Sequence, residues 1–388
     1  MKAAGKPMVG SAAAAGLLNR RQLAALPLAL AGLRAGAQGN APLRVGQSAG
    51  FTGGQAEYSA DVNAGLKAAL GAANAAGGIG GRSVVLLTAD DAGRRDAVVA
   101  NTRKLVEQDQ VLAMVGHTSG AGVEASLSFI DSARVPVLGP ATGNMGIREA
   151  ASPHLFHTRA GYDREMQAII SYVALLGYRR IALAYLGDVG PANLRAMTQA
   201  LGRHQLEPVA VVGLDRNATD FTEPSRALQR GNPQLVVFIS NAKPVVGIVK
   251  AMRSNGYKGQ FATSSFAGSR VVSDLGRDAA GLILIQVLPR PQKDYLRFHR
   301  AFHADLGAHT KGVRPNYTVL EGYVAGRVLL EGMRRAGPEQ TRADLLRALA
   351  GLGDVDFGGY RVRYSRETRE GSRFVELGVV ADDGRIIF

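Results

Sequence analysis

Cysteine is absent from all 388 residues. That excludes a disulfide, a thiolate nucleophile, a cysteine-ligated metal and a lipidated N-terminal cysteine within this sequence. Long hydrophobic runs are scarce as well. LAALPLALAGL, Leu23–Leu33, is too short to span a bilayer, and no other segment is long and apolar enough to do so. No P-loop GK[ST], helix-turn-helix, heptad run, low-complexity tract or short-period repeat occurs. Gly77-Gly78-Ile79-Gly80-Gly81 follows a helical pattern rather than a strand, so it is a helix stop and turn, not a dinucleotide fingerprint. Gly116-His117-Thr118-Ser119-Gly120 misses the G-x-S-x-G nucleophile elbow by one residue. His299 and His303 stand one helical turn apart without a nearby Glu or third ligand. Asp90 and Asp91 end a strand without a neighbouring His or Glu and are expected to make structural polar contacts. No motif for covalent chemistry, metal or cofactor survives, so the chain is expected not to be an enzyme.

What is present is basic but dispersed. Lys and Arg number 46 against 32 Asp and Glu, a formal charge of +14. Arg179–Arg180 and Arg334–Arg335 are pairs rather than runs, which fits a solvated surface and not nucleic-acid binding. Met1–Ala37 holds Lys2, Lys6, Arg20, Arg21 and Arg34 and no acid. With the apolar Leu23–Leu33 and the A-x-A site Ala35-Gly36-Ala37, it reads as a secretory signal peptide cut near Ala37–Gln38. The mature chain is expected to be exported and soluble.

The stretch Val111–Asn144 is one complete βαβ step. VLAMV is a short apolar run suited to a strand buried on both faces, and VPVL is a second. Between them Val123, Leu127 and Ile130 recur at helical spacing. Loops at the carboxyl ends of parallel strands form the ligand crevice, so Gly116–Gly122 and Gly139–Asn144 are two adjacent candidate binding loops. They offer backbone N–H groups and the hydroxyls of Thr118, Ser119 and Thr142; His117 is their one titratable side chain.

The same rhythm surrounds this step. Leu43–Gly50 and Ser83–Asp91 read as strands, with an alanine-rich helix between them and a second helix over Asp96–Gln108. His154–Tyr162 reads as a crossover. Arg179–Gly187, EPVAVVGLD, QLVVFISN and GQFATSSF then read as strands of a second α/β lobe. Gly281–Pro289 reads as a return to the first lobe, and the C-terminal residues as a hairpin.

Beyond the leader, nearly the whole chain resembles the leucine/isoleucine/valine-type periplasmic binding proteins of ABC importers, the type I periplasmic binding protein fold. The resemblance rests on LRVGQSAGFTGGQAEYSADVNAGLKAALGAANAAGGIGGRSVVLLTADD, VPVLGPATG, DFTEPSRALQRGNPQLVVF and YTVLEGYVAGRVLLEGMRRAG. It implies two doubly wound α/β lobes joined by a three-crossover hinge: residues 43–157 plus 289–351, and 158–288 plus 352–388. It implies a monomer that captures a small carboxylate-bearing solute, an amino acid or an aliphatic or aromatic acid, and delivers it to an ABC permease in the inner membrane. A ligand-sensing receptor subunit of the same fold, or an α/β hydrolase, are the alternatives. By the same resemblance Ser119, Gly120, Ala141 and Thr142 hold the carboxylate, and Tyr58 contacts the solute. Tyr162 at the crossover and Asn241, Ser265 and Phe266 face them from the other side. The acid that holds an amino acid's ammonium in the family is replaced by Ser265 or Phe266, which implies that the ammonium clamp is missing. The aromatic residue usual in the loop Leu186–Pro191 is replaced near Gly190.

Overall fold

The computed structural model describes residues 41–268, 270–365 and 367–388, so the leader expected over Met1–Ala37 lies outside it. Five parallel strands make the first sheet: β1 (Leu43–Ala49), β2 (Val84–Asp90), β3 (Ala113–Val115), β4 (Val137–Leu138) and β5 (Leu155–Phe156), in the order β2-β1-β3-β4-β5. The expected crossover His154–Tyr162 therefore contributes an edge strand before it leaves the lobe. Helices α1 (Ala56–Ala75), α2 (Arg95–Glu107) and α3 (Gly120–Ser132) connect the strands, and a short α4 (Met145–Glu149) follows β4. Local chemistry fixes their starts. Ser119 Oγ accepts the Gly122 N–H at 3.1 Å, and Asn144 Oδ1 accepts the Gly146 N–H at 2.6 Å. Asp90 and Asp91 pin the first loop: Asp90 binds Thr52, and Asp91 accepts from Ser48 Oγ at 2.8 Å and Gly93 N at 2.9 Å.

After α5 (Tyr162–Leu175) the chain builds a second sheet. Its parallel strands are β6 (Ile181–Leu186), β7 (Pro208–Leu214), β8 (Leu235–Ile239), β9 (Gln260–Thr263) and β10 (Ile283–Gln286). The expectation that Gly281–Pro289 returns to the first lobe is corrected here, because β10 pairs with β9 and the crossing comes after it. Helices α6 (Pro191–Gly202), α7 (Thr222–Gln229), α8 (Ala242–Ser254) and α9 (Val271–Leu275) belong to this lobe. Helices α10 (Arg297–His309) and α11 (Tyr317–Arg335) then pack on α1, and α12 (Arg342–Ala350) on α11.

The α1–α11 crossing brings two backbones together. A Cβ on Gly65 would lie 1.9 Å from the Val319 carbonyl oxygen, and one on Gly322 2.0 Å from that of Val62. Only glycine on both sides permits that approach. A hairpin of β11 (Gly353–Asp356) and β12 (Arg361–Tyr364) follows, before β13 (Glu376–Val380) and β14 (Ile386–Ile387) extend the second sheet antiparallel. Tyr364 meets Phe156 edge-to-face at 5.5 Å and Tyr360 stacks on Phe298 at 5.0 Å. We therefore assign that hairpin to the first lobe, where a division at residue 351 puts it in the second. The chain passes between the lobes after β5, after β10 and after β12.

Candidate functional site

In both sheets the carboxyl ends of the strands lie at the seam between the lobes, bridged there by loop contacts. Gly54 N–H donates to Asn217 Oδ1 at 3.3 Å, Asn241 Nδ2 to the Gly54 carbonyl at 3.0 Å, and Met145 N–H to Asn193 Oδ1 at 2.8 Å. Arg195 meets Glu149 at 2.6 Å and Arg270 meets Glu57 at 2.5 Å. The lobes are thus closed on one another.

Within the seam the residues singled out from sequence fall into two groups. The Tyr58 hydroxyl lies 3.0 Å from the Ala141 carbonyl and 3.1 Å from Glu321 Oε2, and its one proton is shared between these two acceptors. Its ring meets Phe266 edge-on at 5.4 Å. Thr142 Oγ1 lies 3.4 Å from the Tyr162 hydroxyl and accepts the Asn144 N–H at 3.2 Å. A Cβ on Gly120 would stand 3.0 Å from Thr142 Oγ1, so the Ser119–Gly120 and Ala141–Thr142 loops do lie side by side. Asn241 is buried at the same seam. With Tyr58 and Phe266 it lines a cleft of about 570 Å³ whose other walls include Phe221, Lys243, Arg270 and Thr318.

Ser265 does not face open space. Its hydroxyl contacts Arg159 and donates to Glu165 Oε1 at 3.1 Å, while its N–H donates to Glu165 Oε2 at 2.8 Å. Arg159 is completely buried and pairs with Glu165 and, at 3.2 Å, with Glu321 Oε1. Burial works against the Arg159 charge, but Glu321 and Glu165 outweigh it and hold the guanidinium pKa above its ordinary value. Burial pushes the Glu165 carboxyl up, against the pull of Arg159 and Ser265. Burial also lifts the Tyr162 hydroxyl to about 12, so it stays a neutral donor.

Two helices, α5 and α11, thus bring carboxylates to the seam, and both share one guanidinium. Sequence reasoning missed Glu165 and Glu321. The signal was their place in apolar stripes: Glu165 falls between Tyr162 and Ile169 on α5, and Glu321 between Thr318 and Val324 on α11.

Buried polar atoms without hydrogen-bond partners concentrate at the same seam. Among the described residues they include Gln55 Oε1 after β1, both His117 nitrogens after β3 and Asn144 Nδ2 after β4. From the second lobe come Asn193 Nδ2, Arg216 Nη1, Ser240 Oγ, Asn241 Oδ1 and Ser264 Oγ, from segments after β6, β7, β8 and β9. Each such group costs about 1–3 kcal/mol when it is desolvated and unmet. Their gathering where strands of both sheets end is what a ligand crevice in this kind of fold requires. Among the described residues no group of three or more His, Cys, Asp or Glu is arranged to hold a metal.

The model of the periplasmic binding protein family matches residues 42–385. The chain belongs to that family. An amino acid binding protein of Pseudomonas aeruginosa is 26% identical over 220 residues, 56% of this chain and 59% of that protein. A Leu/Ile/Val-binding protein homolog of Brucella abortus is 26% identical over 246 residues, 62% of this chain and 64% of that protein. The alignments span less than two thirds of these relatives' own lengths. A solved substrate-binding periplasmic protein from Ralstonia solanacearum superposes with a TM-score of 0.83 at 30% identity, covering 89% of this chain and 99% of that one. This periplasmic binding protein is a type I member with two α/β lobes, close to the Leu/Ile/Val-binding group.

His117 gives the binding protein a measurable acid sensitivity. Burial alone lowers its pKa from 6.5 to about 4. The unfolded chain binds the proton first, so the stability held by the neutral ring is complete above pH 6.5 and is lost as pH falls towards 4. The loss approaches about 3 kcal/mol. Urea unfolding across that range should show His117→Asn with a shallower decline than wild type; parallel curves would exclude His117 as the source.

Proposed function

We propose that the protein is an exported, monomeric solute-binding protein of the periplasm. It captures a small carboxylate-bearing solute, an amino acid or an aliphatic or aromatic acid, between its lobes and delivers it to an ABC permease in the inner membrane. It performs no chemistry on the solute. The observation that carries this reading is the set of buried side-chain polar atoms left without hydrogen-bond partners at the carboxyl ends of strands in both sheets. A polar solute held there would meet them, and closure would exclude water around it. The two aligned relatives, an amino acid binding protein and a Leu/Ile/Val-binding protein homolog, support an amino acid within that class.

On this reading Ser119, Gly120, Ala141 and Thr142 grip the carboxylate. They do so beside the N-terminus of α3, whose free N–H groups and dipole favour an anion. Tyr58 and Tyr162 flank the grip, and Asn241, Ser265 and Phe266 close over it from the second lobe. Ser265 acts there by fixing Glu165 and Arg159.

A thermal-shift screen of amino acids, aliphatic acids and aromatic acids tests the class. A ligand at 100 times its Kd adds about 2.7 kcal/mol of stability. Hydrogen bonds to a charged group are each worth about 1.5–3 kcal/mol, so Ser119→Ala with Thr142→Ala should weaken a hit at least 100-fold by calorimetry. Unchanged affinity would refute the loop assignment, and turnover of a hit would refute the absence of chemistry.

A further inference from the structure

The proposed function leaves one carboxylate at the seam without a role. Glu124 lies on α3, one helical turn beyond Gly120. It is partly buried, and among the described residues no hydrogen bond or ion pair reaches it. Two glycines, one from each lobe, make its place. A Cβ on Gly146 would fall 2.5 Å from Glu124 Oε2, and one on Gly190 3.7 Å from Glu124 Oε1. Gly146 is the second residue of α4 in the first lobe, and Gly190 precedes α6 in the second. The carboxylate therefore points between the lobes, at the loop from which the aromatic side chain is missing.

Two buried amides stand beside it. Asn144 accepts the Gly146 N–H through Oδ1, and Asn193 accepts the Met145 N–H through Oδ1 at 2.8 Å. Asn144 is 1% exposed and Asn193 is fully buried, and the Nδ2 group of each has no partner. A half-buried carboxylate without a partner, next to two buried amides whose Nδ2 groups are also unmet, leaves a donor-and-acceptor set at the seam that the protein itself does not satisfy. The other carboxylates at the inner seam, Glu165 and Glu321, are already committed to Arg159.

We propose that Glu124 is a specificity-determining residue that recognises a cationic group on the solute's tail. This rests on the carboxylate-gripping role of the Ser119–Gly120 and Ala141–Thr142 loops. Glu124 follows Gly120 by four residues, a rise of roughly 6 Å along the helix. The fitting solute is an acid whose carboxylate sits at the start of α3 and whose amine or guanidine lies about that far away. The neighbouring Nδ2 groups of Asn144 and Asn193 serve an acceptor on the same tail. Gly146 and Gly190 provide the space that a larger side chain at either position would take.

The test is a matched pair of probes, pentanoate and 5-aminopentanoate, titrated calorimetrically into the mature protein and into Glu124→Gln and Gly146→Ala. Gly146→Ala keeps the charge and displaces the end of the Glu124 side chain. Wild type should bind 5-aminopentanoate at least tenfold more tightly than pentanoate, and both variants should bring that ratio close to one. A wild-type ratio near one, or a ratio that survives Glu124→Gln, overturns the role of Glu124 alone. Binding of neither probe would sink the carboxylate reading and this inference with it.

Discussion

Arg159→Met should destabilise the folded protein by about 3–5 kcal/mol, the cost of removing one partner from a buried ion pair. The side chain is wholly buried, and so is Glu165; the Glu321 side chain is 7% exposed. Methionine fills similar volume, so the loss is electrostatic rather than a cavity. Without the guanidinium, two carboxylates remain in a low dielectric, hydrogen-bonded by Ser265 and by the Ala141-bound Tyr58 with no cation to offset their charge among the hydrogen-bonding groups described. They will take up protons instead. A carboxyl whose folded pKa is raised binds more protons folded than unfolded, so the stabilisation is present at low pH and lost as pH rises through the folded pKa. The Arg159→Met deficit should therefore shrink as pH falls, which no packing defect would do. Adding Glu165→Gln and Glu321→Gln should recover most of the loss, since a neutralised network no longer strands a charge. Urea unfolding of the single and triple variants at two pH values decides the matter. A single variant within 1 kcal/mol of wild type, or a deficit indifferent to pH, would mean that the network is hydrated and not the buried cluster described.

The network also marks the boundary of what the sequence discloses. The strand–helix rhythm was legible because parallel strands buried on both faces must be short apolar runs, as in LVVFI over Leu235–Ile239. Their carboxyl-end loops were legible because a crevice loop needs small residues, as in Gly116–Gly122. Partnership in space was not legible. β10 looks the same whether it joins the first sheet or the second, since its neighbours β9 and β13 are set by pairing over long sequence distances. The C-terminal residues read as one hairpin but divide into β11–β12, packed on Phe156 and Phe298, and β13–β14, on the second sheet. An acid in an amphipathic helix is ordinarily placed in water, and nothing local says that Glu165 and Glu321 converge on Arg159 from residues 6 and 162 positions away. The loops of small residues mark where the carboxyl ends of the strands open onto the seam. The groups that meet at the inner seam, Arg159 with Glu165 and Glu321, and Asn193 with Met145, are brought together only by the folded chain.

Among the described glycines, Gly65→Ala should be the most costly added methyl. The added Cβ would stand 1.9 Å from the Val319 oxygen and 2.5 Å from the Tyr323 nitrogen. Both are backbone atoms of α11, so no rotamer change relieves the contact; one helix must move off the other. Overpacking usually costs about 1–3 kcal/mol, and a backbone-to-backbone clash belongs at or above the top of that range. Gly322→Ala meets the mirror-image obstacle, 2.0 Å from the Val62 oxygen, and should behave alike. Gly307→Ala supplies the contrast: it lies within α10 with nothing within 4 Å of its would-be Cβ, and should be neutral or stabilising by up to about 1 kcal/mol. Denaturant midpoints for the three variants would separate close helix approach from any general intolerance of glycine replacement; equal midpoints would refute it. The consequence reaches the binding cleft as well. α1 carries Tyr58 near its start and α11 carries Glu321, and the two are joined by a 3.1 Å hydrogen bond at the seam. Separating the helices stretches that bond, loosens Tyr58 from the Ala141 carbonyl, and moves the floor of the cleft away from Phe266. A Gly65→Ala protein kept folded at low temperature should therefore bind any solute found by the screen more weakly than wild type, although residue 65 itself is remote from the solute.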